Sequence, residues 1–120
     1  MMDSTPEQYS CIVQEVFSGD DLIAFVDLGV ENLWKRQRIR LHGVDTPNAM
    51  NCGESTPAGR LRKEIQTMVR NRRGLIQVVA KNAGSWVCYL TIESSTAAGG
   101  VIQVNQELIE RGYVFKKRHA

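Results

Sequence analysis

The chain reaches Val44 without any helical periodicity, and this constrains its fold more than any other feature. From Tyr9 to Phe17, Cys11 and Val13 alternate with Ser10 and Gln14, the period-two pattern of a half-buried strand. Ser18-Gly19-Asp20-Asp21 is a turn signal, and Leu22 to Val26 resumes as a second strand. Gly29-Val30-Glu31-Asn32 breaks that run, and Trp34 to Val44 reads as a third strand. Three strands in succession describe a meander. A ferredoxin-like sandwich, which needs a helix between its early strands, fits poorly.

Asp45 to Thr56, with Pro47, Gly53 and small polar residues, reads as a surface loop. Thr56 and Pro57 then predict a helix start, as N-cap and first helical residue. Ala58, Leu61, Ile65, Met68 and Val69 recur three or four apart and form one apolar stripe. Asn71-Arg72-Arg73-Gly74 predicts its end. Leu75–Val79 and Trp86–Ile92 are two further strands, rich in β-branched and aromatic residues. The 94–100 stretch reads as a hairpin tip, followed by a short 101–103 extension. Asn105 predicts the cap of a second helix carrying Leu108 and Ile109 and closed by Gly112. Five strands, with a helix after the third and another after the fifth, predict a mainly β, α+β chain. The expected fold is a five-stranded OB-type barrel with two, at most three, packed helices.

The 120 residues, 42% hydrophobic and 23% charged, suit one domain over 1–120. Its core is expected at about residues 9–115, with residues 1–8 and 116–120 as flexible tails. No apolar run approaches the roughly 20 residues of a membrane helix. Met1 to Glu7 lacks the basic and apolar regions of a signal peptide. Cys11, Cys52 and Cys88 are odd in number and widely spaced, so a reduced, cytoplasmic setting is expected. A net charge of +2 points to no partner by itself. The placement of charge says more.

Arg36, Arg38 and Arg40, with His42 next in line, recur at period two and share one strand face. Ile39 and Leu41 point the other way, toward the core. Such a stripe is either a solvated face or a surface for phosphates. Arg60, Arg62 and Lys63, then Arg70, Arg72 and Arg73, extend it or serve as solubilising charge. Asp20 and Asp21 sit in the first turn, and Asp45 follows the arginine strand. Carboxylates at neighbouring strand ends suit a hard cation, and equally suit ordinary turn chemistry.

Together, Ser18-Gly19-Asp20-Asp21, Ile39-Arg40-Leu41-His42-Gly43-Val44-Asp45-Thr46-Pro47 and Val104-Asn105-Gln106-Glu107-Leu108-Ile109-Glu110-Arg111-Gly112 resemble the staphylococcal-nuclease family in order and spacing. The match runs from about Tyr9 to Phe115. The resemblance implies an OB-fold barrel and calcium-dependent cleavage of phosphodiester bonds in DNA and RNA. By that resemblance Asp20, Asp45 and the backbone carbonyl of Thr46 correspond to Ca2+ ligands, and Arg40 to a clamp on the scissile phosphate. The cation would polarise the phosphoryl group while arginine neutralises developing charge.

Three positions depart from that pattern. Asn48 stands where the family has the glutamate that handles the attacking water, and an amide cannot take up a proton. Ser85 stands where a second arginine would follow the turn before the fifth strand, and Asp21 replaces a threonine. Glu54, in the same loop, is the candidate substitute base. Trp34, Trp86, Tyr89 and Tyr113 are the aromatics available for base stacking, with at most one expected to serve. The sequence therefore predicts a catalytically impaired nuclease-like domain. It would bind single-stranded DNA, RNA or another phosphate-bearing ligand through Arg36, Arg38 and Arg40. A working calcium-dependent nuclease with a rearranged site is the alternative, and a protein-interaction module the second.

Overall fold

A computed structural model describes residues 7–49, 53–94 and 98–113. In chain order the elements are β1 (Glu7–Ser18), β2 (Asp21–Asp27), β3 (Trp34–Leu41), α1 (Pro57–Val69), β4 (Arg73–Asn82), β5 (Ser85–Glu93), β6 (Val101–Gln103) and α2 (Val104–Glu110). The strands line up as β3-β2-β1-β4-β5-β6, and a pairing of β3 with β5 closes the first five into a barrel. Every neighbouring pair is antiparallel except that closure, which joins Ile39, Arg40 and Leu41 to Trp86, Val87 and Cys88 in parallel. The five-stranded barrel with two helices is the fold the sequence predicts.

β1 makes the closure possible. Its first half pairs with β4 from Glu7↔Val78 to Ile12↔Arg73, and its second half pairs with β2. Register shifts between Val13 and Glu15 and between Val16 and Ser18 bend it from one partner to the other, as bulges do. Inward residues of all strands meet in one core that includes Val13, Leu22, Ile39, Ile76 and Leu90. Each such side chain contributes about 1.5–3 kcal/mol when removed from water. α1 seats Ala58, Leu61, Ile65 and Val69 of its stripe there, and Thr56 Oγ1 accepts from Gly59 N at 3.1 Å as its cap. No helix among the described residues is long and apolar enough to cross a membrane.

Four local expectations are corrected. β1 begins at Glu7, because Glu7 and Gln8 already pair with β4, so residues 7 and 8 are strand and not tail. β3 ends at Leu41, because the chain turns through Gly43 at φ +75°. The stripe thus stops at Arg40, and His42 instead donates its backbone N–H to Cys88 O at 2.8 Å. Gly74 lies inside β4, where a Cβ would come within 2.6 Å of Thr91 O, so its glycine serves close strand approach and not the end of α1. The N-cap of α2 is Gln103, and Asn105 is a buried residue within the helix. Cys52, residues 95–97 of the hairpin tip, Phe115 and the basic tail lie outside the described residues.

Candidate functional site

The β1–β2 turn and the loop after β3 fold onto each other at one end of the barrel. Gly19 permits the contact, since a Cβ there would sit 2.8 Å from Thr46 Cγ2. Thr46 Oγ1 donates to Asp20 Oδ1 at 2.8 Å, and Ala49 N donates to Ser18 Oγ at 3.0 Å. Arg40 forms an ion pair with the second oxygen of Asp20 at 3.5 Å. Next to it, Arg38 donates from Nε and Nη2 to the two oxygens of Asp21 at 2.9 and 2.6 Å. That fork raises the arginine pKa further, chiefly through the hydrogen bonds to Asp21. Asp20 and Asp21 are both buried, so pairing is what makes their charge tolerable.

The structure thus unites Asp20, Thr46 and Arg40, three of the residues the sequence singles out. Their chemistry is turned inward. Asp45 is exposed, and its backbone N–H donates to Tyr113 O at 3.1 Å. Among the described residues no three His, Cys, Asp or Glu side chains gather to hold a metal ion. Two carboxylates and the Thr46 carbonyl are a thin donor set for calcium, which takes roughly six to eight oxygens. Glu54 pairs with Lys63 Nζ at 3.2 Å on the surface of α1. Asn48 is exposed in the same loop as Asp45.

A second region lies farther back along β3. Between β3 and the β4–β5 hairpin tip runs an open groove of about 600 Å³, lined on one side by Lys35, Arg36, Gln37 and Arg38. Asn82, Gly84 and Trp86 form the other wall, with Phe17 and Ile23 contributing apolar surface. This volume is within the range of ligand-binding clefts. Ser85, half-buried, sits in the tip between Gly84 and Trp86. Among the described residues Arg36 is anchored only by Nε donating to Gln14 Oε1 at 3.0 Å. Lys35, Gln37, Asn82 and Gly84 are groove residues that sequence reasoning misses. Lys35 and Gln37 fall on the opposite period-two face from the arginines, and the gap beside β3 leaves Lys35 exposed while Gln37 stays buried at its floor.

Most of the aromatic residues around the groove are already engaged. Trp86 packs against Tyr9 with centroids 5.5 Å apart. Lys81 Nζ lies 4.5 Å and Lys35 Nζ 5.0 Å from the Trp86 ring centroid. Lys81 also pairs with Glu7 at 2.6 Å, and the hydrogen bond between them lowers the carboxyl pKa and raises that of the lysine. Arg38 lies over Phe17 at 5.4 Å, and Tyr89 meets His42 edge to face at 5.2 Å. Tyr113 packs against the core. Trp34 is 43% exposed but lines a separate apolar depression of about 390 Å³ beside Leu75 and Val101. The cations of α1 stay on its own surface, with Arg62 donating to Gln66 at 3.4 Å. Cys11 and Cys88 are free thiols in the core, and burial pushes both up to about 12.

No protein-family model and no curated protein matches the chain. Among solved structures, extended Tudor domain TD3 of mouse TDRD1, in complex with a MILI peptide containing dimethylarginine 45, is similar with a TM-score of 0.63. The two are 10% identical over 96% of each chain. That likeness shows the fold. The barrel implied by the nuclease resemblance is borne out, while none of these comparisons names the nuclease family.

Proposed function

We propose that this chain is a non-catalytic protein-interaction module whose groove between β3 and the β4–β5 tip takes an anionic segment of a partner protein. The observation that carries the reading is the groove itself, where Lys35, Arg36 and Arg38 line one wall and both aromatic rings of its lining, Trp86 and Phe17, already carry a cation. Single-stranded nucleic acid draws much of its affinity from bases stacking on open aromatic faces, about 1–3 kcal/mol per base. Trp86 and Phe17 carry the chain's own cations there instead. Carboxylates or a phosphorylated side chain of a peptide need only charge and donors, which the three cations supply.

The dimethylarginine side chain in the peptide of the Tudor neighbour is cationic. Here Lys35 and Lys81 occupy the Trp86 face, so a methylated cation would meet like charge. Shared architecture and opposite charge preference are compatible, because function resides in the site and not in the fold. Catalysis draws no comparable support, since Arg40 faces Asp20 and Glu54 faces Lys63.

Fluorescence anisotropy with three probes tests this reading: a Glu-rich peptide, a dimethylarginine peptide and a single-stranded oligonucleotide. The Glu-rich peptide is expected to bind most tightly and to lose affinity on R36E. Preference for the oligonucleotide, with a salt slope near −0.7 per phosphate contacted, would return the chain to the nucleic-acid reading.

A further inference from the structure

We infer that the partner segment docks in this groove as an added β-strand along β3, extended, with acidic side chains at alternate positions. The inference rests on the groove being the binding site and specifies how its occupant is held. β2 pairs with β3 over its whole length, from Asp27↔Trp34 to Asp21↔Arg40 without a register shift. On the other side β5 pairs only with Ile39, Arg40 and Leu41. Trp34 to Arg38 therefore form a strand edge with no strand neighbour among the described residues.

The direction of that edge's backbone groups follows from the hydrogen bonds at its ends. Leu28 N donates to Leu33 O at 3.0 Å, and Leu41 N donates to Asp20 O at 2.9 Å. Odd-numbered residues of β3 thus turn their backbone toward β2. His42 N donates to Cys88 O, so even-numbered residues turn toward β5. By strand alternation Trp34 and Arg36 present N–H and C=O to the open side, while Arg38 O stands where the pairing with β5 begins. Gln37 Nε2 donates to Arg38 O at 3.0 Å, which leaves the backbone of Arg36 and Trp34 as the free rungs of the ladder.

Proteins commonly guard an open edge with charge, and Lys35, Arg36 and Arg38 do so here. The guard is selective. A second copy of the same edge would bring like charges together, whereas an acidic strand would be attracted. Period-two carboxylates match the period-two guanidinium groups of Arg36 and Arg38, so backbone and side-chain recognition come into register together.

The experiment compares two acetylated peptides of about eight alternating Glu and Val residues, one unmodified and one N-methylated at every backbone nitrogen. Charge is equal, but the second lacks the ladder donors on both of its edges. Anisotropy is expected to show the methylated peptide binding about tenfold more weakly, since each lost hydrogen bond is worth about 0.5–1.5 kcal/mol. Amide exchange of Arg36 is expected to slow only with the unmodified peptide. Equal binding of both peptides, weakened alike by R36E, overturns strand addition while leaving the groove as the site. Binding of neither peptide, with the R36E protein folded by circular dichroism, overturns the groove as the site and strand addition with it.

Discussion

The two polar regions of this barrel lie only a few residues apart on β3 and behave oppositely. At the loop end, Asp20 accepts from Thr46 and faces Arg40, Ser18 accepts from Ala49, and nothing buried among the described side chains lacks a partner. In the groove, among the described residues, Arg36 is 3.0 Å from a single neutral acceptor and Lys35 has only the face of Trp86. Polar groups that answer one another hold a fold together and have little left for a ligand. Groups that face water with partial satisfaction are the ones free to exchange partners. Residue type alone points to the first region; accessibility points to the second.

Asn105 belongs to the self-satisfied kind and gives the largest expected effect. Its Oδ1 accepts from Leu90 N at 2.8 Å, and its Nδ2 donates to His42 O at 2.9 Å and Cys88 O at 3.1 Å. One side chain thereby ties α2 to β5 and to the end of β3. Asn105→Leu has a similar volume but takes this partner from Leu90 N–H and His42 C=O, while Cys88 O keeps the His42 N–H, at a cost of about 3–5 kcal/mol. Urea denaturation measures this, and a loss below about 1 kcal/mol would break the claim that this end is held by its polar network.

The thiols beneath both regions come next. Cys11 and Cys88 keep their protons up to about pH 12 when folded, against 9.0 in the reference state. Above pH 9 the unfolded chain has therefore lost protons that the folded chain still holds, and stability falls as pH rises. The contribution is intact below that point. At pH 10 the pair is expected to cost about 3 kcal/mol relative to pH 8, from the linkage of one pKa unit to 1.36 kcal/mol. A C11V/C88A variant should show a shallower decline between pH 8 and 10. Identical profiles for the two proteins would mean that the thiols are not kept dry.

Thr46→Val is expected to be smaller again. It keeps the shape that packs against Gly19 and removes the hydroxyl on buried Asp20, a loss of about 1–2 kcal/mol. Peptide affinity should be unchanged, because Thr46 lies outside the groove. A fall in affinity at constant stability would show the two regions to be one site.

The barrel was legible because period-two runs, a capped helix with a single apolar stripe and the turn at Ser18–Asp21 are all written locally. The loop end was partly legible for a different reason: the Asp-Thr-Pro and Val-Asn patterns resemble a known family. Even so, Asn105 reads locally as a cap, since asparagine before an apolar helical pair favours that position. Only the approach of β5 to α2 turns it into a buried bridge. The groove was the least legible. It exists because β5 joins β3 only from Trp86↔Ile39 onward, a long-range event that no local pattern on β3 records. The engagement of the aromatics by Lys35, Lys81 and Arg38 is equally non-local, as those partners come from different strands.

Arg36 and Arg38 offer the finest test, because they stand two residues apart on one strand face with opposite commitments. Arg38 gives both donors of its fork to buried Asp21, and its side chain is still 43% exposed. Replacing it with Met leaves a buried carboxylate without its counter-charge, while solvent softens the loss, so about 1 kcal/mol is expected. Among the described residues Arg36 bonds only to Gln14, and Arg36→Met should stay within about 0.5 kcal/mol of the parent. Binding should rank the other way. A carboxylate arriving at Arg38 must compete with Asp21 for the guanidinium, whereas at Arg36 it displaces one neutral acceptor. Arg36→Met is therefore expected to weaken an acidic peptide about fivefold and Arg38→Met about twofold, since exposed charge pairs contribute roughly 0.2–1 kcal/mol. Measuring both variants by denaturation and by titration gives four values, and the division between holding and binding predicts that their two orders are reversed. If Arg38→Met dominates both orders, the Asp21 fork is part of the recognition surface, and the boundary between the two regions moves from Arg36 to Asp20.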